Sequence, residues 1–461
     1  MDIGTSQTYL WNLARAQVVR FQDLNEIADL ENAISNVEKA LEQMDDGHLD
    51  KPKYLVSLSA CHDLRFHRLG DLADLENALS NKEKAAELTD WGNPSKAGRL
   101  SLLGDFQCFR FEDVGHLSDL HNALLNTKMA VEPTDNADPE MPYRLSNLGN
   151  VQQTRFGVLG DLSDLESAMS NQAMAVELTD SRHPRKADYL SKLGYSQKFR
   201  FERLGDLSDL ENAIPNMDKS LELTDLAGPS NAGRLSWLGD CRRMRFDELG
   251  DLSDLNSALL NTKMAVELAD NADPDMPRYL SNLGSVQQTR FRALGDLSDL
   301  ESAMSYKAMA VELTDVCHPS KADYLLNTQE SRFRRLGDLS DLENAIANME
   351  KAVELTDGGH PHRLIYLAGL GTAQHLRFEK LGNLSDLDEA ISNKTRSIQL
   401  AGHPFKPGYL SNLSIAQQTR FQRLGGVVDM ENAIANIEHA VELTDDRHPD
   451  KPMYLANLGL A

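Results

Sequence analysis

The chain has 461 residues, about three times a common domain length, so it holds either several domains or one elongated array. Its 41% hydrophobic and 26% charged residues are ordinary globular figures and leave enough apolar material for a core. Lys plus Arg number 47 against 71 Asp plus Glu, a net charge of −24, and such a surface repels a phosphate backbone and argues against a DNA or RNA partner.

In chain order, a helical pattern is already under way at Thr8-Tyr9-Leu10, and a tag Asp-(Leu/Met)-x-x-Ala follows with its Asp at 29. The tag returns with Asp at 74, 119, 164, 209, 254, 299, 341, 386 and 429, which divides nearly the whole chain into ten units of about 45 residues. Unit 5 shows the internal order: Leu190, Leu193, Phe201 and Leu204 mark one helical stripe, helix A, with Gln197 at its intermediate position, and Gly205 ends it. Unit 8 shows the second stripe, helix B, in Leu339, Leu342, Ala345, Ile346, Met349, Ala352, Val353 and Leu355. Ser340 and Glu343 stand at its start as a Ser-x-x-Glu capping box, repeated as Ser163/Glu166, Ser208/Glu211 and Ser298/Glu301. A polar loop carrying Pro closes the unit, and nothing alternates with the period of two that a strand needs. Residues 126–132 return as 261–267 and residues 151–156 as 286–291, three units on in both cases, so a three-unit block was copied in tandem.

Two places depart from this order. Tyr324 precedes Arg332 by 8 residues where Tyr189 precedes Arg200 by 11, so helix A of unit 8 lacks three residues and is expected to be a weak joint over residues 320 to 335. The chain closes inside an eleventh helix A, where Leu455, Leu458 and Leu460 lack the helix B that would cover them. The array is therefore expected to be a piece of a longer one and to self-associate through uncapped ends.

The unit resembles a tetratricopeptide repeat, whose signature is W-x2-L-G-x2-Y, then A-x3-F, then P. Unit 5 reads Leu190-x2-Leu193-Gly194-x2-Gln197, then Ala213-x3-Met217, then Ser220 at the second small position, and Pro229. The unit is longer than the 34 residues of that repeat, its first Trp is usually Leu, and its A-x3-F aromatic is lost. The recurring wording, as in Leu204-Gly205-Asp206-Leu207-Ser208-Asp209-Leu210-Glu211-Asn212-Ala213-Ile214, looks like the long tetratricopeptide-like arrays of basidiomycete fungi, which often precede a CHAT-type (caspase-like) effector domain. The resemblance implies an all-α solenoid, a superhelix of ten helix-turn-helix units plus a terminal half repeat, running as one continuous domain over residues 1–461.

Several recurrent residues invite a functional reading. Arg-Phe stands in every unit, including Arg155-Phe156, Arg200-Phe201 and Arg290-Phe291, and takes ten of the 14 Phe. One reading is a guanidinium ladder for an acidic ligand. The regular recurrence favours another, in which Phe fills the core and Arg pairs with a carboxylate of the next helix. The tag Asp, as Asp164, Asp209 and Asp299, follows the Ser cap in the first turn of helix B, where a carboxylate suits the helix dipole. His183, His318, His360, His403 and His448 precede Pro where aligned units carry Asn93, Asp138, Gly228 and Asp273, which is turn chemistry and no metal site. Asp240-Cys241 faintly resembles a caspase-type nucleophile but has no His arranged for it, so no catalytic residue and no cofactor are expected.

The resemblance puts helix A on the concave surface, and its outward positions are mainly amide and hydroxyl. Asn147, Asn150 and Gln153, Asn282 and Gln288, and Asn412 and Gln418 can hydrogen-bond a peptide backbone there. The four Cys form no C-x-x-C and read as reduced thiols of a cytoplasmic or nuclear protein. No apolar run reaches the roughly 20 residues of a membrane helix, and Met1-Asp2-Ile3-Gly4-Thr5 has none of the regions of a signal peptide, so no membrane partner is expected. The expected function is a non-catalytic scaffold that holds a protein or peptide in its groove. The alternative is the sensing arm of a larger enzyme or receptor whose effector lies outside this chain.

Overall fold

The computed structural model describes residues 3–460 apart from 46, 136, 226–227, 229–230, 271–272, 315–332, 334–336, 356–362, 401–405, 445–447 and 449. Among the described residues every regular element is an α-helix, and the helices form the paired units of an all-α solenoid. Unit 2 pairs Lys51–Leu69 with Leu72–Glu87, unit 5 pairs Lys186–Leu204 with Leu207–Glu222, and unit 6 pairs Asn231–Leu249 with Leu252–Leu268. Packing gathers the chain into two compact units, residues 1–154 and 155–461. Helix A of unit 8 lies outside the described residues except for Phe333, and with it the expected weak joint, Arg332, Cys317 and His318.

Helix A ends where one residue turns left-handed. Gly205 has φ 70° and its N–H closes on the Phe201 carbonyl at 2.7 Å, a conformation that a Cβ disfavours. Asn25, with φ 56°, takes this place in unit 1, the commonest substitute for Gly in this region. Two residues later helix B begins, and its cap corrects the expected Ser-x-x-Glu box. The N-cap of unit 5 is Asp206, whose carboxylate accepts the Ser208 N–H at 3.1 Å, so Ser208 sits inside the helix at its second position. Asp161, Asp251 and Asp296 repeat the arrangement. An Asp accepts from the exposed first-turn N–H groups and carries a charge matched to the helix dipole, so it outcompetes the Ser two places on.

The core is shared between units. Phe201 on helix A and Leu210, Ala213, Ile214 and Met217 on helix B pack with Leu238 and Cys241 from helix A of unit 6. Helix A approaches helix B closely at a glycine: a Cβ built on Gly104 would stand 2.6 Å from Thr127 Cγ2 and 2.9 Å from the Ala123 carbonyl. Within residues 1–154, Leu75, Ala78 and Leu79 pack in the same way with Leu100, Leu103 and Phe106 of the next unit.

Among the described residues the Arg of each Arg-Phe pair clamps the tag Asp nine residues on. Arg65 Nε and Nη2 donate to Asp74 at 2.8 and 2.6 Å, Arg245 does so to Asp254 at 2.7 and 2.5 Å, and Arg290 Nη1 reaches Asp299 at 3.0 Å. Arg155 binds Asp164, and Arg200 binds Asp209, through the same two nitrogens. Phe156 and Phe201 are buried beside these pairs and Phe291 is half-buried. Helix A and helix B of one unit are thus held at a fixed angle by a fork-shaped ion pair at their shared corner. Two of the arginines also reach back to the preceding unit, Arg110 to Glu76 at 2.9 Å and Arg420 to Asp388 at 2.8 Å.

Candidate inner-face binding site

Helices A of successive units approach one another directly and exchange side-chain hydrogen bonds. Asn282 Nδ2 donates to Ser236 Oγ at 2.9 Å, and Asn457 Nδ2 to Ser411 Oγ at 3.2 Å. Asn147 makes the same bond to Ser101 at 3.1 Å and is buried, which corrects the expectation that this position faces outward. Its amide is occupied in joining two helices. Gln288 accepts from Lys307 Nζ at 2.6 Å, Asn150 and Gln153 are half-buried, and Asn412 is exposed. Gln418 is half-buried, and its Nε2 has no partner.

Units 5 and 6 place other side chains at these same positions. Where unit 4 has Asn147, Asn150 and Gln153, unit 5 has Lys192, Tyr195 and Lys198, and unit 6 has Trp237, Asp240 and Arg243. Stacking of helices brings them together. The Trp237 ring is half-buried, with the Tyr195 ring edge-on at 4.9 Å and Phe199 at 6.3 Å. Lys198 Nζ lies 4.8 Å from the Trp237 centroid, and the Arg278 guanidinium, from helix A of unit 7 (Met276–Leu294), lies 5.2 Å from it. Two cations thus approach the π-cloud of one indole, each attracted to its negative face.

An ion-pair chain runs beside the ring. Lys198 Nζ donates to Glu202 Oε1 at 2.7 Å and stands 3.2 Å from Asp240 Oδ2. Arg243 bridges Asp240 at 2.7 Å and Asp247 at 2.9 Å. Burial works against the Asp240 charge, but Arg243 and Lys198 outweigh it and hold the carboxyl down at about 2. Burial opposes the Lys198 charge as well, and Glu202 and Asp240 overcome it and raise its pKa. Burial pushes the neighbouring Cys241 thiol up to about 12, which keeps it protonated and a poor nucleophile. The result is a platform with an aromatic centre and charges of both signs at its edge.

Residues 1–154 carry an aromatic on the same kind of face. Trp11 donates Nε1–H to Ser57 Oγ at 2.9 Å, with Lys53 4.0 Å and Arg15 4.7 Å from its ring, beside a groove of about 190 Å³ lined by Val18, Ala60 and Cys61. At the far end of the chain Leu455 and Leu460 are exposed, while Leu458 packs against Leu410, Ile437 and Tyr454. The described His-Pro residues act as turn acceptors: His183 and His448 Nδ1 accept a backbone N–H two residues on, at 3.2 and 3.1 Å. Among the described residues no group of His, Cys, Asp and Glu could hold a metal, and no helix is long and apolar enough to cross a membrane.

No protein-family model matches the sequence, and no curated protein matches it. Solved structures do match the fold. The human IFIT1 dimer with m7Gppp-AAAA superposes with a TM-score of 0.54 at 13% identity, over 94% of this chain and 86% of that one. The human IFIT1 dimer with PPP-AAAA gives 0.53 at 13% identity, over 94% and 87%. A thermophilic TPR protein of Thermus thermophilus aligns more loosely, at 0.35 and 21% identity, over 50% of this chain and 98% of that one. The chain has a tetratricopeptide-like helical-repeat fold.

Proposed function

We propose that the chain is a non-catalytic binding scaffold that takes a protein or peptide segment on the helix-A face of units 5 to 7, centred on Trp237. The observation that carries the reading is the platform itself: Trp237 meets Tyr195 and Lys198 at positions where unit 4 carries the amides Asn147, Asn150 and Gln153, and Arg278 reaches the ring from a position that holds Tyr143 in unit 4. A repeat array needs similar residues at similar places to stack, so a local break in the wording that assembles one aromatic and charged surface is the mark of a site. Aromatic and Arg side chains also dominate the binding energy of protein interfaces. The net charge of −24 favours a polypeptide over a phosphate polymer.

The test is a displayed random-peptide library selected on the whole chain, with the selected peptides titrated against Trp237→Ala. Affinity is expected to fall about tenfold or more, the loss typical of a central interface aromatic, while helicity stays unchanged. Selected peptides that bind the variant equally well would overturn the site. Binding of a 5′-triphosphate oligoadenylate, the ligand named for the IFIT1 structure, in place of any peptide would overturn the partner class.

A further inference from the structure

Where helix B of one unit gives way to helix A of the next, units 2 to 4 enclose a cavity of about 420 Å³. Trp91, Pro94 and Lys96 line one side of it, and Pro133, Thr134 and Arg144 the other. All of them belong to the compact unit 1–154. The volume falls within the roughly 300 to 1,000 Å³ of small-molecule sites. Three of these residues depart from the wording of the repeat. Arg144 stands where Tyr54, Tyr189, Tyr279 and Tyr366 are buried, Pro133 where Leu88, Leu178 and Leu223 cap helix B, and Trp91 where unit 4 has Ser181.

Arg144 is only 5% exposed, and a buried guanidinium is costly wherever its donors go unmet. Its Nη1 makes both of its bonds, to Thr134 Oγ1 at 3.1 Å and to Asp138 Oδ2 at 2.8 Å, while its Nε has no partner. A tyrosine at that place carries no such charge. Charge around the cavity favours an anion. Helices Ser95–Val114 and Met141–Leu159 both begin at it, with Lys96 and Arg144 in their first turns, so the positive ends of two helix dipoles border it. Lys96 has no carboxylate partner among the described residues: its Nζ donates to the Ala86 carbonyl at 2.7 Å and lies 5.2 Å from the Trp91 centroid. The two carboxylates in the wall are turned to their own loop. Asp135 accepts the Ala137 N–H at 3.0 Å, and Asp138 accepts the Glu140 N–H at 2.8 Å beside its bond from Arg144. The Trp91 ring is 56% exposed, a large stacking surface left open beside two prolines.

We propose that this cavity binds a small molecule made of a planar ring and an oxyanion, with the ring stacked on Trp91 and the oxyanion held by Lys96 and the Arg144 guanidinium. The ligand supplies the acceptor that Arg144 lacks within the chain and that a tyrosine would not need. Carboxylate and phosphate share this chemistry, and both suit a guanidinium and an ammonium set side by side. The site does not rest on the reading of the Trp237 face.

Arg144→Tyr and Trp91→Ser test this, because each puts back a residue that other units already carry at the matching place. Calorimetric titration of the whole chain uses 2-naphthyl phosphate and 2-naphthoate, with 2-naphthol and inorganic phosphate as the separate halves. At least one of the two ring-bearing anions is expected to bind, and each variant to weaken it by about tenfold or more, the size of a lost charged hydrogen bond or stacking partner, with helicity unchanged. Binding of one anion alone tells a phosphate site from a carboxylate site. No binding of either anion at millimolar concentration overturns the proposal. Binding that both variants leave unchanged puts the ligand elsewhere and overturns it too. If 2-naphthol binds as tightly as the anions, the role given to Lys96 and Arg144 is overturned.

Discussion

Lys307 shows how a single residue can work against its surroundings. It lies on helix B of unit 7 (Leu297–Leu313), only 5% exposed, with Nζ on Gln288 Oε1 at 2.6 Å. Burial, and then Arg243 and Arg292, depress its pKa to about 8. Units 5 and 8 place Met217 and Met349 at the matching position, both buried and apolar. Lys307→Met is therefore expected to stabilise the array at pH 7 by about 3 kcal/mol, as a shift of this size implies. The sign follows from linkage. Between pH 8 and the ordinary lysine value of 10.5 the unfolded chain binds more protons than the folded one, so wild-type stability rises with pH across that window. The advantage of the Met variant should be constant below pH 8 and shrink above it, in urea melts run at stepped pH. At this scale the sequence was half legible. Arg155, Asp164, Phe156 and their repeats announce themselves by recurring in every unit. Tyr195, Lys198, Trp237 and Arg278 occur once each at their places, and only the stacking of helices 45 residues apart shows that they meet.

At the scale of the element, the helix boundaries were written in the period of the apolar residues and in the glycine that follows helix A in every unit but the first. The cap was not. Asp206 and Asp209 flank Ser208, and the wording Ser-x-x-Glu is a valid box, so spacing alone cannot say which residue stands outside the helix. The backbone decides it: Asp206 is extended, with φ −76° and ψ 107°, and Ser208 is already helical. Asp209 is then released from capping and is buried against Arg200. Two substitutions separate the roles. Asp206→Ala should lower protection of the first turn of helix B in unit 5 by about 1 kcal/mol, the usual cost of a lost N-cap. Ser208→Ala, at an exposed position inside the helix, should stay within about 0.5 kcal/mol of the wild type. Local hydrogen exchange reads both, and a larger loss at Ser208 would restore the Ser box.

On the scale of the whole molecule, repetition makes the architecture the most legible property of the sequence. The cores join one unit to the next, as with Phe378, Leu387 and Ile391 of unit 9 against Leu413 and Ala416 of unit 10. Such a chain behaves as a row of nearest-neighbour couplings, in which a local defect spreads by about one layer. Phe378→Ala removes one of the most deeply buried rings and is expected to cost about 3 to 5 kcal/mol where it acts. Exchange protection should fall across helices Arg363–Leu381, Leu384–Gln399 and Lys406–Leu424, while helices Asn231–Leu249 and Leu252–Leu268 of unit 6 keep theirs. A uniform loss over residues 155–461 would instead show one cooperative block and remove the nearest-neighbour description.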